Sequence, residues 1–273
     1  MSDRLYQPRI PGLFITGTDT GVGKTLVTCA IASAIRRQEP GARVGVLKPF
    51  ASGCRKDREG LVSEDAEALA HFADARQPLE IITPIRFAAP LAPAAAAKEI
   101  DEPIDWSALS RSLTRIDHEC DALLIEGVGG LMVPLDPTRP RYTVLNLIEE
   151  LGYPVLIVTR AGLGTLNHTA MTAHLLKQAG CRVVGMVING YVADAAKTDD
   201  PSIAGNRYWL EKMTGLTTLA VVPRVDPVGA QPQHGRIDPA ALEAMEMTFW
   251  PNLLDVSQHR GNRPPKRLRH PTP

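Results

Sequence analysis

The stretch that decides the fold is Gly-Thr-Asp-Thr-Gly-Val-Gly-Lys-Thr, residues 17–25. It follows the apolar run Leu13–Ile15 and precedes Leu26–Ile31, which has the pattern of a helix. A strand, a glycine-rich turn ending in Gly-Lys-Thr and a helix are the successive parts of a phosphate-binding loop. Backbone N–H groups of such a turn and the positive end of the helix face an anion together. The stretch therefore predicts that phosphate binds here.

Two side chains of this loop add chemistry to the backbone. Lys24 can reach the terminal phosphates of a nucleotide, and the Thr25 hydroxyl can ligate Mg²⁺. The spacing departs from the usual motif, because five residues rather than four separate Gly17 from Gly23. The alternative is a glycine-rich turn with a surface lysine. The strand before the loop and the helix after it favour phosphate binding.

Length and composition limit the possible classes of protein. The 273 residues suit one α/β domain with a sizeable core, and the formal net charge of zero argues against a general nucleic-acid binder. Without a bilayer-spanning apolar run or a signal-peptide pattern, we expect a cytoplasmic protein that does not contact membranes. Four scattered cysteines show no metal-ligand spacing, and we expect reduced thiols: Cys29, Cys54, Cys120 and Cys181.

Apolar β-like runs alternate along the chain with helical patterns. Runs such as Leu123–Ile125 and Val155–Val158 are apolar without alternation, which is typical of parallel strands covered on both faces. We therefore predict a single doubly wound α/β domain, with a mostly parallel central sheet flanked by helices. The predicted strands are Leu13–Thr16, Val44–Leu47, Ala122–Glu126, Val155–Thr159, Val183–Ile188 and Leu219–Val222, and the predicted helices lie near 24–37, 63–73, 106–118, 143–151, 165–179 and 203–213.

The composition changes at about Val225. The following stretch is rich in Pro, Gly and His and ends in a basic run over Arg260–His270. We predict that residues 1–225 form the phosphate-binding domain, and that residues 226–273 form an extension that builds no core and is partly disordered. A basic tail can also bind an anionic partner. Because the basic run lacks aromatic residues, we interpret it as a solvated tail.

Charged residues stand at the ends of two predicted strands. Lys48 follows Val44–Leu47, with Ser52 shortly after it, and Glu126 ends the run Ala122–Glu126. Ligands of doubly wound sheets bind at the carboxyl ends of the strands, so we predict that Lys48 faces the ligand and that Glu126 makes a second Mg²⁺ contact. The alternatives are a surface lysine at a strand end and an acid that caps a strand.

Other candidates are less distinctive. Asp65 lies at the start of a predicted helix, and spacing alone does not choose it over Glu64 or Glu67, since acids there also complement the helix dipole. The segment Gly162–Asn167 opens another helix, where it can receive an anion or simply cap the helix. Asn189 ends a strand, where its amide can contact a purine edge or serve as a turn residue.

Taken together, these segments resemble dethiobiotin synthetase. The resemblance implies a P-loop NTPase-like fold and ATP-dependent closure of a ureido ring, in which 7,8-diaminononanoate, CO₂ and ATP give dethiobiotin, ADP and phosphate. It also implies Mg²⁺ as cofactor and a homodimer with its active site at the interface. The matching segments run in family order over roughly residues 12–224 and are Thr16–Thr25, Lys48–Gly53, Ser63–Ala66, Ile125–Gly130 and Gly162–His168.

The same resemblance implies roles for individual residues. Lys24 and Lys48 are the catalytic residues, which stabilise the transferring phosphoryl group and bind the carbamate. Thr25, Asp65 and Glu126 hold the metal. The substrate contacts are Ser52, Gly129 and, across the dimer interface, Gly164, Thr165, Leu166 and Asn167. The ATP contacts are Thr20, Gly21, Val22, Gly23, Lys24, Thr25, Asn189 and Pro223.

The main alternative is a Min/Par-type switch ATPase, which shares the fold. Such proteins carry a signature lysine early in the loop, where this chain has Asp19. A cobyrinate-type amide synthetase would need a fused glutaminase domain, and about fifty residues remain after Val222, too few for one. The chain also departs from the family pattern, since Gly21 and Gly190 stand at positions that are acidic in some relatives.

Overall fold

The computed structural model describes residues 5–58, 60–194, 198–225 and 230–255. In these residues, every helix is too short or too polar to cross a lipid bilayer. The strands are β1 (Gly12–Gly17), β2 (Val44–Leu47), β3 (Phe50–Ala51), β4 (Arg55–Asp57), β5 (Gly60–Val62), β6 (Ile85–Arg86), β7 (Ala122–Glu126), β8 (Pro134–Asp136), β9 (Arg139–Thr143), β10 (Val155–Arg160), β11 (Val183–Tyr191), β12 (Thr218–Pro223), β13 (Ala230–Gln231) and β14 (Arg236–Ile237). The α-helices are α1 (Lys24–Gln38), α2 (Glu64–Ala73), α3 (Leu79–Ile82), α4 (Pro93–Glu99), α5 (Trp106–Glu119), α6 (Val144–Leu151), α7 (Thr165–Gln178), α8 (Ile203–Thr214) and α9 (Pro239–Glu246).

Six of these strands form one parallel sheet in the order β12-β11-β10-β1-β7-β2. The chain passes from β1 out to β2, returns to β7 beside β1, and then continues to β10 on the other side of β1. The direction of winding therefore reverses next to β1, and the loop of residues 17–25 leaves the carboxyl end of this strand. Doubly wound sheets bind ligands at such a switch point. The predicted fold class is confirmed.

Helices cover both faces of the sheet, and successive strand residues point to opposite faces. Phe14 packs with residues of α5, α6, α7 and α8, whereas Leu13 and Ile15 pack with residues of α1, α2 and α9. The sheet strands β1, β2 and β7 are buried along their whole length. A strand with two covered faces needs apolar side chains on both of them, which explains the continuous apolar runs in the sequence.

All six predicted strands and all six predicted helices are present. Ser63 caps α2, because its Oγ accepts a hydrogen bond from the backbone N of Ala66 at 3.3 Å. Four two-stranded pairs that the periodicity did not predict surround the main sheet, namely β3–β6, β4–β5, β8–β9 and β13–β14. Their strands are two to five residues long, too short to produce a readable period.

The C-terminal extension corrects one prediction. The side chains of Met245 and Trp250 are fully buried against the α1 face of the sheet. Ala241 and Met245 lie four residues apart on one face of α9, and Ile237 of β14 belongs to the same buried core. The prediction that the chain beyond Val225 builds no core is therefore wrong for residues 230–255. The basic run lies outside the described residues.

Candidate active site

A cleft of about 690 Å³ lies at the carboxyl end of the parallel sheet. Residues that follow or end β1, β2, β7, β11 and β12 meet there. This is the location that the switch point of a doubly wound sheet predicts. The predicted site residues that line the cleft are Thr20, Gly21, Gly23, Lys24, Thr25, Lys48, Ser52, Asp65, Glu126, Gly129, Asn189 and Pro223.

The phosphate-binding loop turns into α1 at Gly23, whose φ of 94° is left-handed. A Cβ at this position would collide with the Nδ2 atom of Asn189, so glycine is required both by the backbone angle and by space. Lys24 folds back along the loop, and its Nζ donates to the carbonyl oxygen of Asp19 at 2.8 Å. Burial lowers the pKa of Lys24 to about 8. A bound phosphate would place a negative charge beside this buried amine and so favour its charged, protonated form.

Asp19 has two structural partners in the loop region. Its Oδ1 accepts a hydrogen bond from the backbone N of Thr20 at 2.7 Å. Its Oδ2 forms an ion pair with Arg160, at the end of β10, at 3.1 Å. The position that would hold a signature lysine in a Min/Par-type ATPase is therefore an acid that binds an arginine of its own chain.

Lys48, Asp65, Glu126 and Thr25 converge beside the loop. Lys48 Nζ donates to Glu126 Oε1 at 2.7 Å and also to Asp65 Oδ2. The Thr25 hydroxyl lies 2.9 Å from Asp65 Oδ1 and 2.8 Å from Glu126 Oε1. Four side chains from four separate parts of the chain thus meet around one point. The sequence predicted each of them as a candidate but did not predict that they meet.

Burial and charge set the ionisation of this cluster. Lys48 and Glu126 are almost completely buried, and burial raises the pKa of Glu126. Burial opposes the positive charge of Lys48, but the carboxylates of Glu126 and Asp65 raise its pKa above the ordinary lysine value. Asp65 is half-buried, and Lys48 lowers its pKa in spite of the burial. Lys48 therefore stays charged, held by two acids.

The donor atoms of this cluster suit a magnesium ion. Glu126 Oε2 is buried and has no hydrogen-bond partner among the described residues. With Asp65 and the Thr25 hydroxyl it supplies a set of hard oxygen donors. No group of three or more His, Cys, Asp or Glu side chains in the described ranges could hold a metal. Two carboxylates and a hydroxyl leave coordination positions for phosphate oxygens and water, the arrangement in which proteins commonly bind Mg²⁺.

Asn189 is positioned by the loop itself. Its Nδ2 donates to the carbonyl oxygen of Val22 at 3.0 Å, so the amide supports the phosphate-binding loop from the end of β11. Val22 is buried beneath the loop and does not line the cleft. The predicted contact of Asn189 with adenine stays a prediction, and its support of the loop is a role that the sequence did not indicate.

The predicted substrate contacts at the start of α7 lie apart from the cleft. Gly164, Thr165, Leu166 and Asn167 are not among the residues that line it. Gly164 is exposed and has a left-handed φ of 88°, and Thr165 is fully buried. This location is the one expected for residues that serve a neighbouring subunit, and that role stays a prediction.

Two further segments line the cleft, and the sequence indicated no functional role for either. Pro90, Leu91 and Ala92 come from the Ala/Pro-rich stretch before α4, and Pro232 and Gln233 come from the C-terminal extension. A compositional bias marked the first segment. No motif marked the second, because its placement depends on how the extension folds back beside α2.

The comparisons with known proteins identify the family. A family model described as an AAA domain matches residues 11–232. ATP-dependent dethiobiotin synthetase BioD from Anaeromyxobacter sp. (strain Fw109-5) is 41% identical over 214 residues, which are 78% of this chain and 90% of that protein. This chain belongs to the dethiobiotin synthetase family. The member from Aquifex aeolicus is 38% identical over 79% of this chain and 90% of its own length.

Solved structures of more distant proteins share the fold. The MinC:MinD cell division protein complex of Aquifex aeolicus matches with a TM-score of 0.54 and 12% identity, over 86% of this chain and 93% of that chain. A ParA family ATPase from Chlorobium tepidum matches with a TM-score of 0.51 and 15% identity, over 87% and 96%. At these identities the similarity establishes the fold alone. The family itself is that of the dethiobiotin synthetases.

Proposed function

We propose that the chain catalyses the ATP-dependent closure of a ureido ring in biotin biosynthesis. The reaction converts 7,8-diaminononanoate, CO₂ and ATP into dethiobiotin, ADP and phosphate. The observation that carries the proposal is the placement of Lys48 between Glu126 and Asp65, beside the phosphate-binding loop, in a member of this family. A buried cation next to a phosphate site can bind an anionic acceptor and the phosphoryl group together.

The nucleotide is bound by the loop and by the start of α1. Backbone N–H groups of Thr20 to Thr25 surround the phosphates, and Lys24 stabilises the charge that develops on the transferring phosphoryl group. Pro223 and Asn189 lie at the ends of β12 and β11 on the same cleft, where they contact the base. The proposed co-substrate is ATP.

The metal in the proposed site is Mg²⁺. Thr25, Asp65 and Glu126 would hold it, with the unpartnered Oε2 of Glu126 as the buried ligand. When bound, the ion neutralises phosphate charge and orients the phosphoryl group for transfer. Lys48 binds Oε1 of Glu126, which leaves Oε2 of the same carboxylate available to hold the metal.

The ring closes in two chemical steps after one amine has bound CO₂ as a carbamate. The carbamate oxygen attacks the γ-phosphorus of ATP and releases ADP, which gives a carbamic-phosphoric anhydride. The neighbouring amine then attacks the carbonyl carbon, loses a proton and expels phosphate. Lys48 binds the carbamate, with Ser52 and Gly129 on the substrate side of the cleft. Both amines belong to one molecule, so the second step has a high effective molarity.

The proposed assembly is a homodimer that works in the cytoplasm, where ATP is available. Its proposed interface includes the start of α7. Leu163, just before α7, is 80% exposed, and Met171, one turn after Asn167, is 51% exposed. A second copy would cover these apolar side chains. Subunits carrying Lys48→Ala and Asn167→Ala should then restore activity when mixed and allowed to exchange. Lack of rescue despite proven exchange would contradict a shared site.

The proposed reaction is tested by mass spectrometry of the product. Purified protein is incubated with the diamine, bicarbonate, ATP and Mg²⁺, and dethiobiotin and ADP are expected in equal amounts. A reaction without the diamine measures background ATP hydrolysis. If no dethiobiotin forms at saturating concentrations of all substrates, the proposal is wrong.

A further inference from the structure

Four threonine hydroxyls meet at the end of β10, beside the phosphate-binding loop. Thr159 Oγ1 lies 2.7 Å from Thr165 Oγ1 and 2.7 Å from Thr169 Oγ1, and these two are 3.3 Å apart. Thr18, in the loop, reaches Thr159 Oγ1 with its own hydroxyl at 3.4 Å. The side chains of Thr159, Thr165 and Thr169 are fully buried. We call these four residues the threonine cluster.

The hydroxyls of the threonine cluster satisfy one another. Each hydroxyl donates one hydrogen bond and can accept two. Around the triangle of Thr159, Thr165 and Thr169, each group donates once and accepts once, which uses all three protons. The second acceptor site of Thr159 is then available to Thr18. Burial of three hydroxyls without hydrogen bonds would be costly, so this arrangement specifies how the side chains are oriented.

The orientation of Thr169 differs from that of other threonines within helices of this chain. Such residues commonly donate to the carbonyl oxygen four residues earlier. Thr28, Thr114, Thr172 and Thr214 all do so, at 2.7 to 2.8 Å. Thr169 instead forms its hydrogen bonds with threonine side chains at the end of β10 and the start of α7. The cluster therefore ties the helix to the sheet at this point.

Thr159 is the only member of the threonine cluster that contacts all three others. Thr18 belongs to the phosphate-binding loop, and its backbone N donates to the carbonyl oxygen of Val158 at 3.1 Å. Thr165 is the first residue of α7, directly after the left-handed Gly164. Thr159 thus joins the loop that is proposed to bind ATP in its own subunit to the helix start that is proposed to bind the diamine in the neighbouring subunit's site.

We infer that Thr159 is a positioning residue that fixes the start of α7 relative to the phosphate-binding loop of its own subunit, and so sets the position in which this helix start meets the diamine in the neighbouring subunit's site. This inference rests on the proposed function. A small displacement of one substrate can lower the rate of reaction greatly, because the reacting atoms must approach in a defined geometry. The hydrogen bonds of the Thr159 hydroxyl make this connection, and the volume of the side chain does not.

The experiment compares three variants with the wild-type protein. Thr159→Val removes the hydroxyl at almost constant volume, and Thr159→Ser keeps it. Thr172→Val is the matched control, because it removes from α7, the helix of Thr165 and Thr169, a buried hydroxyl that donates to the helix backbone. Each protein is assayed for dethiobiotin formation at varied diamine concentration, for ADP affinity and for thermal stability.

For Thr159→Val, kcat/KM for the diamine should fall about tenfold or more, with kcat itself lowered, since the diamine is no longer held in the reactive geometry. Its ADP affinity should remain near wild type, Thr159→Ser should restore kcat/KM, and Thr172→Val should behave as wild type. If Thr159→Val does not fold, Thr169→Val breaks the triangle from the helix side and replaces it in the same comparison.

Two results would overturn the inference alone. One is a Thr159→Val protein whose kcat/KM equals that of Thr172→Val, whatever its stability. The other is a parallel loss of ADP affinity, which would place the effect in the loop. A wild-type protein that forms no dethiobiotin would overturn the proposed function, and the inference with it.

Discussion

Lys48 and Glu126 form a hydrogen bond of 2.7 Å between the ends of two adjacent parallel strands. The register pairs Leu47 of β2 with Ile125 of β7, so the next residue on each strand stands at the same edge of the sheet. Both side chains are nearly inaccessible to solvent. A buried ion pair is costly to break by removing one partner, because the remaining charge is left without compensation. The pair therefore holds the ammonium group of Lys48 in a fixed position at the cleft.

Replacement of this lysine should separate catalysis from nucleotide binding. For Lys48→Ala we expect kcat to fall by about a hundredfold or more, since an electrostatic contact to the reacting group is lost. ADP affinity should change little, because the loop and Lys24 are intact. Dethiobiotin formation and calorimetric ADP binding measure the two effects.

The matched control for this variant is Lys56→Ala, which removes an exposed lysine on β4. It should retain wild-type turnover. If Lys48→Ala lost ADP affinity as much as turnover, Lys48 would be a nucleotide-binding or folding residue rather than a carbamate-binding one. Circular dichroism of both variants checks that the fold is retained when Glu126 has lost its ion-pair partner.

The two glycines at the tip of the loop should differ in their tolerance of a side chain. At Gly23 a Cβ would collide with Asn189 Nδ2, whereas at Gly21 no atom lies within 4 Å. Both have positive φ, which costs an alanine roughly 1–2 kcal/mol. Gly23→Ala should therefore abolish measurable ADP binding, and Gly21→Ala should only weaken it. Equal affinities of the two variants would contradict the support of the loop by Asn189.

The sequence predicted the fold and the separate site residues, but not how they meet. The apolar runs and the loop motif are local signals, so β1, α1 and the ends of β2 and β7 could be recognised directly. The contact of Lys48 with Glu126 depends on β7 lying between β1 and β2, and strand order is a non-local property. Asn189 was predicted near adenine, yet its bond to Val22 becomes visible only when β11 is placed beside β10.

The packing of the C-terminal extension could not be predicted either, because it also depends on non-local contacts. Its bias towards Pro, Gly and polar residues predicted a region without a core. Trp250 is nevertheless fully buried, and its Nε1 donates to the carbonyl oxygen of Met245 at 2.6 Å. A few apolar residues are enough to add to a core when the larger domain already presents an apolar face that they can cover.

The burial of Trp250 predicts that the extension stabilises the whole domain. Trp250→Ala should lower the free energy of unfolding by about 3–5 kcal/mol, the usual cost of deleting a buried large aromatic side chain. The adjacent Phe249 is 47% exposed, and Phe249→Ala is the control that should change stability little. Urea denaturation measures both. Equal stabilities of the two variants would mean that residues 230–255 add nothing to the core.

Asp136 predicts a dependence of stability on pH that is separate from the active site. It accepts hydrogen bonds from Trp106 Nε1 at 3.0 Å, from Thr138 N at 2.8 Å and from Arg139 Nε at 2.9 Å. Burial opposes its charge, but these donors lower its pKa from 3.8 to about 2. The folded protein therefore holds the carboxylate ionised at pH values where the unfolded chain would protonate it.

The sign of the effect follows from this lowered pKa. Stability from ionised Asp136 is fully present above the unfolded pKa of about 3.8 and is lost as the pH falls towards about 2. At pH 7, Asp136→Ala should lower the free energy of unfolding by about 2 kcal/mol, because buried donors lose a charged partner. The difference from wild type should shrink below pH 4. Asp199→Ala removes an exposed carboxylate and should show no such difference. Urea titrations between pH 7 and pH 2.5 measure the differences, and a constant difference for Asp136→Ala over this range would contradict the lowered pKa.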